Sequence, residues 1–100
     1  MPKIKITVPH TLTQEEASTR IKGMISKLQE QYGNQVKDLQ ESWAGSMGNF
    51  SFKVMGLQVS GWLDVSASMV AMEGDLPFAA IPFKGQIENT IRQQMESLLR

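Results

Sequence analysis

From Gly48 to Leu63 (GNFSFKVMGLQVSGWL) apolar and polar residues alternate on both sides of Met55-Gly56. If those two residues form a turn, Val54 faces Leu57, Phe52 faces Val59, Phe50 faces Gly61 and Gly48 faces Leu63. All of these fall on one face of a hairpin. Asn49, Ser51, Lys53, Gln58, Ser60, Trp62 and Asp64 fall on the other. A slip by one residue would mix the two sets, so the pattern selects one register. Gly56 supplies the positive φ that a tight turn requires.

The flanking segments extend this pattern. Lys3–Val8 alternates, with Ile4, Ile6 and Val8 on one side and Lys3, Lys5 and Thr7 on the other. That is a half-buried strand with lysines suited to an outer face or an edge. Pro9 and His10 stop it. Thr13-Gln-Glu-Glu16 matches a capping box. Ala17, Ile21, Met24 or Ile25, Leu28 and Tyr32 then recur at helical spacing, up to Gly33-Asn34. Gly23 falls inside this helix, where it permits close approach to the sheet at some cost in helix propensity. Val36–Trp43 reads as a further strand with Leu39 and Trp43 inward, and a loop at Ala44–Met47 sets Trp43 over Gly48.

A turn near Ser66-Ala67 brings back Ser68–Glu73, pairing Leu63 with Val70 and Gly61 with Met72. Gly74-Asp75-Leu76-Pro77 then breaks the sheet. Pro82 suits the first turn of a last helix. Its stripe is Ala80, Phe83, Ile87, Ile91, Met95 or Gln94, and Leu98. Glu88–Arg92 and Glu96–Arg100 are i,i+4 pairs on that helix.

These elements predict a single α+β domain over residues 1–100. It is a two-layer β-α-β-β-β-β-α arrangement with an antiparallel sheet of four to five strands and two helices on one face. The first strand is placed beside the fifth. The layout resembles a shortened helix-grip sheet, with Gly48 and Gly61 as bend points.

Composition narrows the function classes. Ten basic and ten acidic residues cancel, which removes the electrostatic footprint of a nucleic-acid binder or a polybasic membrane binder. With no cysteine there is no disulfide, thiol nucleophile or thiolate metal site. No segment approaches the about 20 apolar residues of a membrane span, and the start MPKIKITV lacks a signal-peptide core. A cytoplasmic location is the expectation. The lone His10 offers neither a triad nor a multi-histidine metal site, and is expected in an exposed loop or leading into the helix. Asp38, Glu41, Asp64, Glu73 and Asp75 are expected on edges and outer faces. No catalytic residue, metal site or cofactor follows from these residues.

Two apolar sets are candidates for binding. The first is an outward patch of Trp62 with Met47, Met69 and Ala71. It serves either as a cross-strand stabiliser or as a contact surface for a hydrophobic body, a protein partner or a second copy of the chain. The second is a groove between the sheet and the C-terminal helix, lined by Phe50, Phe52, Met72, Phe83 and Ile87. Seven methionines suit first an adaptable core, with a loosely packed cavity for an apolar small molecule as the alternative.

Three stretches together resemble one family. They are PKIKITVPHTLTQEEASTRIK, FSFKVMGLQVSGWLDV and MEGDLPFAAIPFKGQIENTI, the last holding Gly74-Asp75-Leu76-Pro77 and the sequence PFKGQIE. They are similar to the small bacterial polyhydroxyalkanoic acid system proteins, encoded beside polyester-granule genes. The resemblance covers nearly the whole chain. It implies a cytoplasmic bacterial protein connected with storage granules, and it brings no catalytic residues with it. A non-enzymatic role is expected from the residues themselves, since no core-facing polar groups suit acid–base work. The function expected is binding of a hydrophobic surface or protein partner through the outward patch. The alternative is a small carrier of a fatty acyl or hydroxyacyl ligand in the groove.

Overall fold

Alternation at Ile4, Ile6 and Val8 yields strand β1 (Lys3–Pro9), in which every second residue is buried. In a computed structural model of the protein, which describes residues 2–54 and 56–100 and only the backbone of Tyr32 and Asn34, β1 is one edge of a five-stranded antiparallel sheet. The other strands are β2 (Val36–Ala44), β3 (Met47–Val54), β4 (Leu57–Val65) and β5 (Met69–Asp75). Their spatial order is β1-β5-β4-β3-β2, so the first strand pairs with the fifth as expected. The turn residue Met55 and the Tyr32 side chain, both named from the sequence, lie outside the described residues.

The β3–β4 hairpin has the register that its alternation demands, with Val54 opposite Leu57, Phe52 opposite Val59, Phe50 opposite Gly61 and Gly48 opposite Leu63. Trp43 lies opposite Gly48. A Cβ on Gly48 would stand 2.7 Å from the Trp43 indole, so the ring takes the space a side chain would need. Gly61 is tighter. A Cβ there would stand 2.2 Å from the Glu73 carbonyl oxygen and 2.9 Å from the Phe50 ring.

β4 and β5 pair two residues further along than the sequence suggested. Val65 faces Val70, Leu63 faces Met72 and Gly61 faces Gly74. The turn sits over Ala67-Ser68, because Ser66 closes it from both sides. The Ser66 N–H donates to the Met69 carbonyl, and the Ser66 hydroxyl accepts from the Met69 N–H. A shift of two leaves the faces unchanged. It also carries β5 through Gly74 to Asp75, where a break was expected. β2 contains a bulge between Lys37 and Gln40, with Asp38 at φ +53°.

The predicted first helix is two. Helix α1 (Gln14–Lys22) and helix α2 (Met24–Tyr32) meet at Gly23. A Cβ on Gly23 would meet only the Arg20 carbonyl, at 3.6 Å, so close approach to the sheet is not the reason for this glycine. Thr13 caps α1 by accepting from the Glu16 N–H at 3.1 Å. The Glu16 carboxylate pairs with Arg20 at 3.0 Å rather than completing a capping box. After β5 a 3₁₀ segment, Phe78–Phe83, contains Pro82 and leads into helix α3 (Lys84–Leu98).

The core is one cluster between sheet and helices. Ile4, Ile6, Leu63, Val65 and Val70 come from the sheet, with Ala17 and Ile21 from α1 and Met95 from α3. Polar ties fix the C-terminal helix. The Arg20 guanidinium donates to the carbonyls of Leu98 and Arg100, where helix carbonyls lack partners. Arg92 donates to the Thr7 carbonyl of β1 at 3.3 Å, and Glu88 faces Lys84 at 3.9 Å instead of Arg92.

Candidate functional site

The two apolar sets named from the sequence end in different surroundings. On the outward face Trp62 lies opposite Asn49 on β3 and Glu73 on β5, both polar. The next rank runs Met47, Asp64, Ala71. Met69 is further along β5, opposite Pro9. The four residues therefore share one face, but Asp64 separates Met47 from Ala71. Met47 and Met69 are 47% and 43% exposed, while Trp62 and Ala71 are half-buried. A hollow of about 560 Å³ beside Trp62 is lined by polar side chains that include Gln40, Ser42, Asn49, Ser51 and Ser60.

The set predicted for the inner groove divides. Phe50 and Met72 are core residues, each 5% exposed, beneath the packed part of the sheet. Phe52 stacks on Phe50 with ring centroids 6.0 Å apart, but is itself half-buried. Phe52, Phe83 and Ile87 do line a common groove of about 370 Å³. Its floor is Val36, Phe52 and Val54 from β2 and β3. One wall is Ile25 and Leu28 of α2. The opposite wall is Phe83, just before α3, followed at four-residue spacing by Ile87 and Ile91 on α3. Alongside these run Gln86 and Thr90, with Gln35 across from them just before β2.

Phe83 was expected inside the helix stripe. It is 58% exposed at the groove's mouth, close in sequence to Phe78 (71%) and Ile81 (45%). It stands at the end of the 3₁₀ segment, one residue before α3 and one turn ahead of Ile87 on the same wall. Val36, Val54 and the Gln86–Thr90 row were not named in advance as lining. The row was detectable as a polar i,i+4 pair running beside Ile87 and Ile91.

His10 leads into α1, one of the two places expected for it, but at 9% exposure it is buried. Nδ1 accepts from the Leu12 N–H at 3.2 Å, and Nε2 donates to the Ser66 carbonyl at 3.0 Å. The ring joins the end of β1 to the β4–β5 turn. Among the described residues no group of three or more His, Cys, Asp or Glu is placed to hold a metal ion. No helix among them is long and apolar enough to cross a membrane.

Comparison with known proteins brings a structural likeness and a family. No curated protein matches the sequence. Among solved structures, the crystal structure of TTHA0849 from Thermus thermophilus aligns over 98% of this chain and 92% of that one, at 11% identity and a TM-score of 0.38. The sequence model for the family described as "Putative polyhydroxyalkanoic acid system protein" matches residues 4–99. The chain belongs to that polyhydroxyalkanoic acid system family.

Proposed function

We propose that the protein is a small non-enzymatic binding module of polyhydroxyalkanoate metabolism that takes an apolar acyl or hydroxyacyl chain into the groove between β2–β3 and helices α2 and α3. The observation that carries this reading is the groove itself. At about 370 Å³ it falls in the range of small-molecule sites, and eight of its eleven lining residues are aliphatic or aromatic. A binding role also accords with the engagement of His10, whose two ring nitrogens are both held in backbone hydrogen bonds.

The test is thermal. A ligand that binds only the folded state raises the melting temperature, the more so the further its concentration exceeds its Kd. Medium-chain acyl compounds should do this for the native protein. Ile87→Trp fills the groove and should abolish the shift while leaving the fold intact. Absence of any shift across an acyl series would sink the reading.

A second reading rests on Met47 and Met69, which are exposed on the same outward face as Trp62. In that reading this face docks on a hydrophobic body or protein. Trp62→Ala would then release the protein from the granule fraction without altering ligand-induced stabilisation.

A further inference from the structure

Deepening the groove reading, on which it rests, we infer that the groove selects chains whose polar end is uncharged, such as an ester or a hydroxyl, over free carboxylates and ammonium groups. Among the described residues that line it, none carries a charge. Its polar members are the two amides of Gln35 and Gln86 and the hydroxyl of Thr90. An amide presents both a carbonyl acceptor and N–H donors, and a hydroxyl can act either way. Such groups complement an ester carbonyl or a hydroxyl. They offset the desolvation of an ionised carboxylate less well than a cation, or a set of N–H donors converging on one point, would.

The placement adds direction. Gln86 and Thr90 are i,i+4 neighbours on α3, running beside Ile87 and Ile91. The polar row thus flanks the apolar wall along its length instead of crowning one end. A chain lying against Ile87 and Ile91 meets hydrogen-bonding groups at more than one point. This suits a ligand with polar groups repeated along its length, such as a short hydroxyacyl ester, better than a plain hydrocarbon tail with one terminal charge.

The experiment is displacement of Nile red, a neutral apolar dye, from the full-length protein at about pH 8, where carboxylates are ionised and alkylammonium groups protonated. Competitors are methyl octanoate, methyl 3-hydroxyoctanoate, octanoate and octylammonium. The inference expects both esters to bind at least about tenfold tighter than either ion, with the hydroxy ester the tighter of the two. It expects the double variant Gln86→Leu, Thr90→Val to retain Nile red and lose the preference for the hydroxy ester. If octanoate competes as well as its ester, or the double variant keeps the full preference, the selectivity inference fails while the groove reading stands. If Nile red binds and no competitor displaces it, or if Ile87→Trp leaves dye binding unchanged, the groove reading itself falls.

Discussion

At the base of the sheet Leu63, Val65, Val70 and Met72 are nearly or wholly buried under α1 and the last turns of α3. At the far end of the β3–β4 hairpin Phe52, Val54, Leu57 and Val59 obey the same alternation, yet all four are only half-buried. The difference lies in what covers them. β5 ends at Asp75, opposite Ser60, so the hairpin projects beyond it with β2 alone at its side. Helix α1 ends at Gly23, and α2 stands over β2 at a distance that leaves the groove. Identical strand patterning therefore produces a filled core where sheet and helices converge and an open apolar groove where they do not.

The largest expected effect tests that division directly. Leu63→Ala removes a side chain that is 1% exposed and should cost about 2–5 kcal/mol in urea unfolding. Phe83→Ala, at 58% exposure, should cost less than about 1 kcal/mol while weakening acyl binding. Comparable losses for the two would erase the distinction between base and arm.

Next comes the contrast between glycines. Gly61→Ala forces a methyl to within 2.2 Å of the Glu73 carbonyl, so β4 and β5 must separate. A loss of about 1–3 kcal/mol, or more, is expected. Gly85→Ala meets nothing within 4 Å in the first turn of α3 and should stabilise by up to about 1 kcal/mol. Chemical denaturation of both variants measures the pair. A neutral Gly61→Ala would mean that the sheet yields where its packing says it cannot.

How far the sequence told this story depends on the range of the interactions involved. Alternation assigned the faces of β1, β3 and β4 and the hairpin register, because each rests on neighbours a few residues apart. The β4–β5 register escaped by two residues, since it depends on one serine hydroxyl closing the turn. The burial of His10 was missed because its partner, the Ser66 carbonyl, lies 56 residues away in sequence. The groove was half legible. Phe52 and Ile87 were named from periodicity. Phe50 and Met72 were assigned with them because a face pattern cannot say which part of that face the helices will cover.

Trp62→Ala sharpens the contrast between the two faces. Its cross-strand neighbours are Asn49 and Glu73, so the expected stability loss is about 1 kcal/mol or less. Sedimentation would show whether the outward face also mediates self-association. Unfolding of the variant would instead make Trp62 part of the core.

The smallest effects are electrostatic, and they too differ between base and arm. At the base Lys3 reaches Glu73 at 3.1 Å, with the acid only 20% exposed. At the arm Lys53 faces Asp38 at 3.6 Å, with the acid 69% exposed and the pair open to screening by salt. The hydrogen bond and charge of Glu73, with a further contribution from Asp75, raise the Lys3 pKa above its ordinary 10.5. A cation whose pKa is raised by folding stabilises the folded state below the unfolded value, and that contribution fades as pH climbs through the raised one. Lys3→Met should therefore lower the urea midpoint slightly at neutral pH, and the gap from the native protein should close well above pH 10.5. Lys53→Met should leave the midpoint unchanged at both. A gap for Lys3→Met that persists undiminished in alkali would assign its effect to the packing of the lysine stem along β5 rather than to charge.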